Sequence, residues 1–194
     1  MGPASAAAAD RNGDDQALIR RVATGDRAAL AALYRRHERP LYLFVKSKLN
    51  DPFLSNDIVQ DVFLEVWRHA ARFEGRSTVK GWLYGIAWRK VIDIHRANRR
   101  LDYTDILPEV EDEDPGALDR ISADEQAGHL RGCLSALKDD HRAAVELAFF
   151  HDLGYREIAE ALEVPEGTVK TRVFHAKKLL QHCLEQVGIK GFAG

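Results

Sequence analysis

The segment Gly154 to Lys178, GYREIAEALEVPEGTVKTRVFHAKK, constrains the fold of this chain more than any other. Ile158, Ala159 and Leu162 fall on one side of a short helical period, with Arg156, Glu157, Glu160 and Glu163 on the other. Val164 is a residue of buried type, and Pro165 marks a restart, because proline is best tolerated where a helix begins. Thr168 or Gly167 can open the second period. From there Val169, Val173, Ala176 and Leu180 recur at steps of three and four and form one buried stripe. Lys170, Thr171, Arg172, Phe174, His175, Lys177 and Lys178 are left on the remaining surface. Two short helices joined by a tight turn, the second basic, suit a major groove: free amides at a helix start attract phosphate, and side chains of the first turns reach base edges. Lysine and arginine bond guanine acceptors or phosphates, threonine a base edge or thymine methyl, and phenylalanine supplies an apolar surface. The plainer alternative is a helical hairpin with a wet, basic outer face.

The net charge of -2 argues at first against a nucleic-acid partner, but its distribution reverses that impression. Leu101 to Gly128 holds ten acidic residues and one basic, Arg120, whereas Arg68 to Arg100 holds nine basic against two acidic. An acidic connector masks basic parts in the total, and local charge is what a phosphate backbone feels. Cys133 and Cys183 are too few and too far apart in sequence to suggest a disulfide framework, and are expected to be reduced thiols of a cytosolic protein. The 8 histidines show no metal-ligand spacing, and Gly81 and Gly85 lack the context of a phosphate-binding loop, so no cofactor or metal is implied. No run reaches membrane-spanning length, and the start MGPASAAAADRNGDD lacks the order of a signal peptide.

Every periodic segment reads as helix. Gln16 to Arg36 is helical with a turn at residues 25–27, and Leu41 to Leu49 follows, ending near Asn50-Asp51-Pro52. Ser55 or Asn56 can cap a third helix, whose apolar face is Ile58, Val59, Val62, Phe63, Val66 and Trp67. A polar connection from Arg72 to Thr78 leads to a helix from Val79 to about Arg96. The rear part runs through Glu125 to Leu137 and Arg142 to Phe150 into the basic hairpin. The expected fold is all-α: two small helical domains joined by an acidic flexible linker, the second containing a helix-turn-helix. The divisions expected are a disordered lead at 1–15, a helical domain at 16–100, the linker at 101–122, the helix-turn-helix domain at 123–187 and a frayed tail at 188–194.

Trp82, Tyr84 and Trp88 cannot all share one stripe, and Arg89, Arg96 and Arg100 recur along one side with Lys90 and Arg99 beside them. Aromatics interleaved with basic residues suit single-stranded nucleic acid, where bases stack and phosphates pair. An aromatic core with a solvated basic rim fits the same residues.

With these segments in order, the chain resembles the extracytoplasmic-function (ECF) class of bacterial RNA polymerase sigma factors, over about Ala17 to Leu184. The stretch DIVQDVFLEVW at 57–67 is similar to the helix by which the family grips the clamp helices of the polymerase large subunit. The resemblance implies polymerase contacts at Asp57, Gln60, Asp61, Leu64 and Glu65. It implies −10 and single-strand contacts at Phe73, Ser77, Thr78, Trp82, Tyr84, Trp88, Arg89, Arg96, Arg99 and Arg100, the connection from Phe73 to Thr78 holding a flipped base. Tyr155 to Ala159 and Gly167 to Arg172 match the reader of the −35 element, with contacts from Thr168, Lys170, Thr171, Arg172, Phe174, His175, Lys177 and Lys178. The chain departs from the family pattern at Trp88-Arg89, Leu137-Lys138 and His175. Membership would imply core RNA polymerase, promoter DNA and an anti-sigma factor as partners, a cytoplasmic location, no cofactor and no bond chemistry of its own. Two other readings stay open on sequence: a dimeric helix-turn-helix regulator of duplex DNA, and a helical adaptor that binds only protein.

Overall fold

The computed structural model describes the backbone of residues 3–101 and 121–189, and the side chains of residues 12–98 and 127–189. All regular structure among them is helical. The elements are α1 (Pro3–Ala23), α2 (Arg27–Leu49), α3 (Pro52–His69), a 3-10 turn (Ala70–Arg72), α4 (Val79–Leu101), α5 (Ile121–Ser135), α6 (Asp139–Phe149), α7 (Tyr155–Leu162) and α8 (Glu166–Gln186). Most of the acidic linker, at 102–120, and the end of the tail, at 190–194, lie outside the described residues.

Local chemistry sets the boundaries. Asp26 caps α2 by accepting from the Ala29 amide at 3.0 Å, a bond that holds its carboxyl below the usual carboxylate range. α2 then runs unbroken through Pro40, so the helix read from Leu41 is the continuation of the one before it. α3 begins earlier than expected: Asp51, rather than Ser55 or Asn56, accepts from the Leu54 amide at 2.9 Å, and Pro52 occupies the first turn, where its missing N–H costs nothing. α8 likewise starts at Glu166, after Pro165. The lead expected to be disordered over 1–15 is helical from Pro3. Its end is fastened by Asp15, buried at 3% exposure, which takes Arg36 Nη1 at 2.6 Å and His37 Nε2 at 2.7 Å from α2.

The front helices α1–α4 enclose Leu33, Leu41, Phe44, Val45, Val62, Val66, Leu83 and Val91, all fully buried. Tyr34 packs on Phe63 with ring centroids 4.8 Å apart. Side chains of this size contribute about 1.5–3 kcal/mol each on burial. This core does not stop at the front half, for Ala143, Ala144, Leu147, Leu153, Ile158, Leu162, Val169 and Val173 of the rear half belong to the same continuous cluster. The two helical sets are packed together, with α7 lying on α4. Gly85 makes that approach possible, since a Cβ there would stand 3.3 Å from Ala161 Cα.

A second, small cluster joins α5, α6 and α8 through Leu134, Leu137, Val145, Ala176, Leu180 and Leu184. Beside it Cys133 and Cys183 are bonded as a disulfide, with Cα atoms 5.8 Å apart. This corrects the expectation of two reduced thiols. Sequence separation of 50 hid a pairing that the packing of α5 on α8 creates.

Candidate nucleic-acid and polymerase interfaces

The outer face of α3 follows from its periodicity. Ile58, Val59, Val62, Phe63 and Val66 point into the core, and this turns Asp57, Gln60, Asp61 and Leu64 to solvent with Glu65 half-buried. Leu64 is 51% exposed although apolar, and Phe53 at the start of the same helix is 83% exposed. The sequence reading missed Phe53; its place in the first turn of α3, ahead of the buried stripe, was the available signal. Lys90 of α4 reaches Asp61 and Glu65 at 3.5 Å each, so this anionic strip is held against α4 by one cation. Acidic groups around an exposed leucine and phenylalanine form a surface suited to a basic, partly apolar partner.

The residues assigned to single-strand contacts divide into two groups. Phe73 and Trp82 are half-buried, tilted, and 5.1 Å apart between ring centroids. With Arg72, Glu74, Gly75, Arg76 and Ser77 they line an open cavity of about 210 Å³. Ser77 and Thr78 are half-buried in the connection, while Arg89 and Arg96 are exposed on α4. Arg96 stands 3.7 Å from Asp93. The side chains of Arg99 and Arg100 lie outside the described residues. Tyr84 and Trp88 face the opposite way: they are 1% and 5% exposed and pack on Phe44, at 5.1 and 6.4 Å between centroids. For these two the aromatic-core alternative describes the structure, and their assignment to an exposed DNA surface is corrected for this arrangement. The reason is tertiary, because His151 stands 4.6 Å from the Tyr84 ring and α7 covers the rest.

On the rear half, Val169, Val173, Ala176 and Leu180 are buried as the period requires. Lys170, Thr171, Phe174, His175 and Lys178 are exposed, and Thr168, Arg172 and Lys177 are half-buried. Lys178 Nζ lies 4.7 Å from the Phe174 centroid and Lys177 Nζ 5.6 Å from that of Phe149, which alternates cations with aromatic faces along one side. Lys170 pairs with Glu166 at 2.8 Å, and this raises the lysine pKa above its ordinary value. Thr171 Oγ1 donates to the Gly167 carbonyl at 2.9 Å. Arg172 is engaged by Asp140 of α6 at 2.6 Å. The Lys170–Glu166 pair is exposed, and such a pair is weak and exchanges readily for phosphate oxygens. Nearby, burial and then the charges of Arg172, His175 and Lys138 depress the pKa of His141.

With this geometry in view, comparison with known proteins is direct. The family models described as Sigma-70 region 2 and Sigma-70, region 4 match residues 33–101 and 128–180. The chain is 31% identical over 176 residues to the ECF RNA polymerase sigma factor SigK of Mycobacterium tuberculosis, across 89% of this chain and 94% of that protein. It is 30% identical over 172 residues to SigK of Mycolicibacterium vanbaalenii, across 87% and 88%. CnrH, solved with the cytosolic domain of CnrY, superposes with a TM-score of 0.67 at 21% identity over 89% of this chain and 98% of that one, a likeness of fold. RpoE of Bartonella quintana, solved with the anti-sigma factor NepR, gives a TM-score of 0.66 at 25% identity over 80% and 96%. The chain belongs to the ECF sigma factors of the sigma-70 family. It is therefore a transcription initiation factor and not an enzyme. No described helix is long and apolar enough to cross a membrane.

Proposed function

We propose that this sigma factor binds core RNA polymerase through the α3 face, anchors on a −35 element through α8, and stabilises the opened −10 element on the front half. The observation that carries the reading is the order of three surfaces on one chain: an acidic, leucine-bearing strip on α3, an aromatic cup at Phe73 and Trp82, and a basic recognition helix. Opening duplex DNA costs a few kcal/mol in unstacking and unpairing. Seating an extruded base between Phe73 and Trp82, with Arg72 and Arg76 close to its phosphates, would offset that cost. The first amides of α8 and Lys170 would meet −35 phosphates, and Thr171, Arg172 and Phe174 the base edges. Bond formation in RNA belongs to the polymerase. CnrH and RpoE were solved with a CnrY domain and an anti-sigma factor respectively, and this supports an anti-sigma partner here that holds the factor in the cytoplasm until a signal arrives.

Charge reversal at Asp61 tests the polymerase assignment. Asp61→Lys should lower affinity for core enzyme roughly tenfold or more, because it sets like charge against a basic partner. Co-elution of purified chain with core polymerase measures it; wild-type affinity would remove α3 from the interface. The substitution also places a cation beside Lys90, so the melting temperature is compared in parallel. For the −35 assignment, Arg172→Ala is expected to weaken duplex binding by roughly 1–3 kcal/mol and Lys170→Ala to flatten its salt dependence. Core association should be unchanged in both variants, as measured by fluorescence anisotropy on promoter duplex and by co-elution.

A further inference from the structure

The aromatic cup at Phe73 and Trp82 has a neighbour. A second open cavity, of about 320 Å³, lies between α1 and the 3-10 turn, and Phe73, Glu74 and Gly75 line both cavities. These three residues form the wall between the two. Both cavities draw their lining from the front half alone, none of it from the seam at which the rear helices pack on α2 and α4.

One face of a helix builds the far side. Gln16, Ile19, Arg20 and Ala23 recur at steps of three and four along α1, and all line the groove. Ile19 and Ala70 are buried and give it an apolar floor, while Ala23 and Ala71 are exposed at its rim. Asp15, one residue before Gln16, fixes this part of α1 to Arg36 and His37 of α2. Gln16 and Arg20 have no hydrogen bond or ion pair with any described residue, whereas Arg21 is held by Asp26 at 2.7 Å. Glu74, the one acid among the lining residues, is paired with Arg76 at 2.5 Å. Gly75, at a φ of +71°, has nothing within 4 Å of where a Cβ would stand, so a sugar–phosphate backbone can cross the wall closely there.

We propose that the groove between α1 and the 3-10 turn is a second nucleotide subsite, which takes an unpaired purine next to the base seated in the cup, with Gln16 and Arg20 reading its edge. The proposal rests on the single-strand reading of the cup above. An apolar floor beside a phenylalanine accepts a base that has left its stack. Two long polar side chains, one helical turn apart, then face the exposed edge of that base. Arginine pairs with guanine through O6 and N7, and glutamine with adenine through N6 and N7; a pyrimidine offers neither pattern. Gln16 and Arg20 are thus specificity-determining residues for promoter opening, on a helix outside the −10 contacts expected from sequence.

Fork-junction DNA tests the subsite, with the full chain, core polymerase and a promoter first mapped with wild type. The non-template strand is left single-stranded across the −10 element, and each position in turn carries a purine, a pyrimidine or no base. The cup base is the position whose preference Trp82→Ala removes. Wild-type holoenzyme is expected to bind roughly tenfold less tightly when one position adjoining the cup base loses its purine. Gln16→Ala combined with Arg20→Ala should bind all three forms alike at that position and keep the preference at the cup. Arg20→Lys restores the charge but not the two-pronged contact, so overall affinity should recover without the guanine preference.

Ala23→Phe and Ala71→Phe, both at exposed positions, fill the groove from opposite walls. Each should remove the purine preference while core association and helicity stay as in wild type. A loss of affinity in the Gln16/Arg20 variant that is equal for every base would make these residues backbone contacts only and overturn the subsite. So would a wild-type holoenzyme with no purine preference beside the cup base, or phenylalanine variants that keep it; in each case the cup still stands. If no position responds to Trp82→Ala, the cup reading fails and takes the subsite with it. A wild type that gives no transcript with core enzyme overturns the sigma reading as a whole.

Discussion

Replacing Glu146 by leucine is expected to destabilise the chain by roughly 3–5 kcal/mol, while Lys48→Met combined with Glu146→Leu should be close to neutral or stabilising. The asymmetry follows from where the pair sits. The Lys48 side chain has no solvent exposure and that of Glu146 has 8%. Burial pushes the lysine pKa down to about 8, and the Glu146 carboxylate is the main influence opposing that fall. The ammonium is thus still charged at neutral pH, but only because its partner is present. Removing the carboxylate leaves a cation among apolar groups, with the Phe44 ring at 5.2 Å as a poor substitute. Removing both charges abolishes the desolvation penalty along with the attraction. Urea denaturation of the two single variants and the double variant measures the coupling directly. A Glu146→Leu variant as stable as wild type would mean that the pair is solvated and the seam open in the free chain.

Loss of the Cys133–Cys183 bond is expected to cost the rear half about 4 kcal/mol, from the closure entropy of a loop of this length. The effect should be local. α5 packs on α8 through a small cluster separate from the main core, so little apolar burial remains to hold it once the bond is cut. The seam at α4 and α7 draws on the main cluster and should be unaffected. Hydrogen exchange of a Cys133→Ser/Cys183→Ser variant checks both parts: amides of α5 should lose protection, and those of α4 should keep theirs. Uniform loss across the chain would show that the two clusters fold as one unit.

Much of the fold was legible because amphipathic helices write their burial into their own spacing. The buried stripes of α3 and α8 were read almost whole, and with them the outward faces that carry Asp61 and Lys170, whereas in α7 the buried Ala161 was missed and Ala159, counted with the stripe, is half-buried. What stayed hidden depends on partners far away in sequence. Lys48 and Glu146 are charged residues that read as surface until the fold brings together two positions 98 apart in sequence. Tyr84 and Trp88 share composition with a stacking platform, and their packing on Phe44 of α2, joined by His151 from 67 residues on, assigns them to the interior. Cys133 falls on the stripe of Leu130, Leu134 and Leu137, and Cys183 on that of Ala176, Leu180 and Leu184, but such spacing marks burial without naming the partner. The continuation of α2 through Pro40 was missed for another reason: a proline is locally a stop signal, and here tertiary packing of Leu41, Phe44 and Val45 overrides it.

Run-off transcription with purified chain and core RNA polymerase, followed by mapping of transcript 5′ ends, tests the central claim most directly. Discrete start sites that require the chain, share one pair of upstream elements, and disappear with Asp61→Lys are expected. Binding of the chain as a dimer to a palindromic duplex, with no transcript from core enzyme, would contradict it.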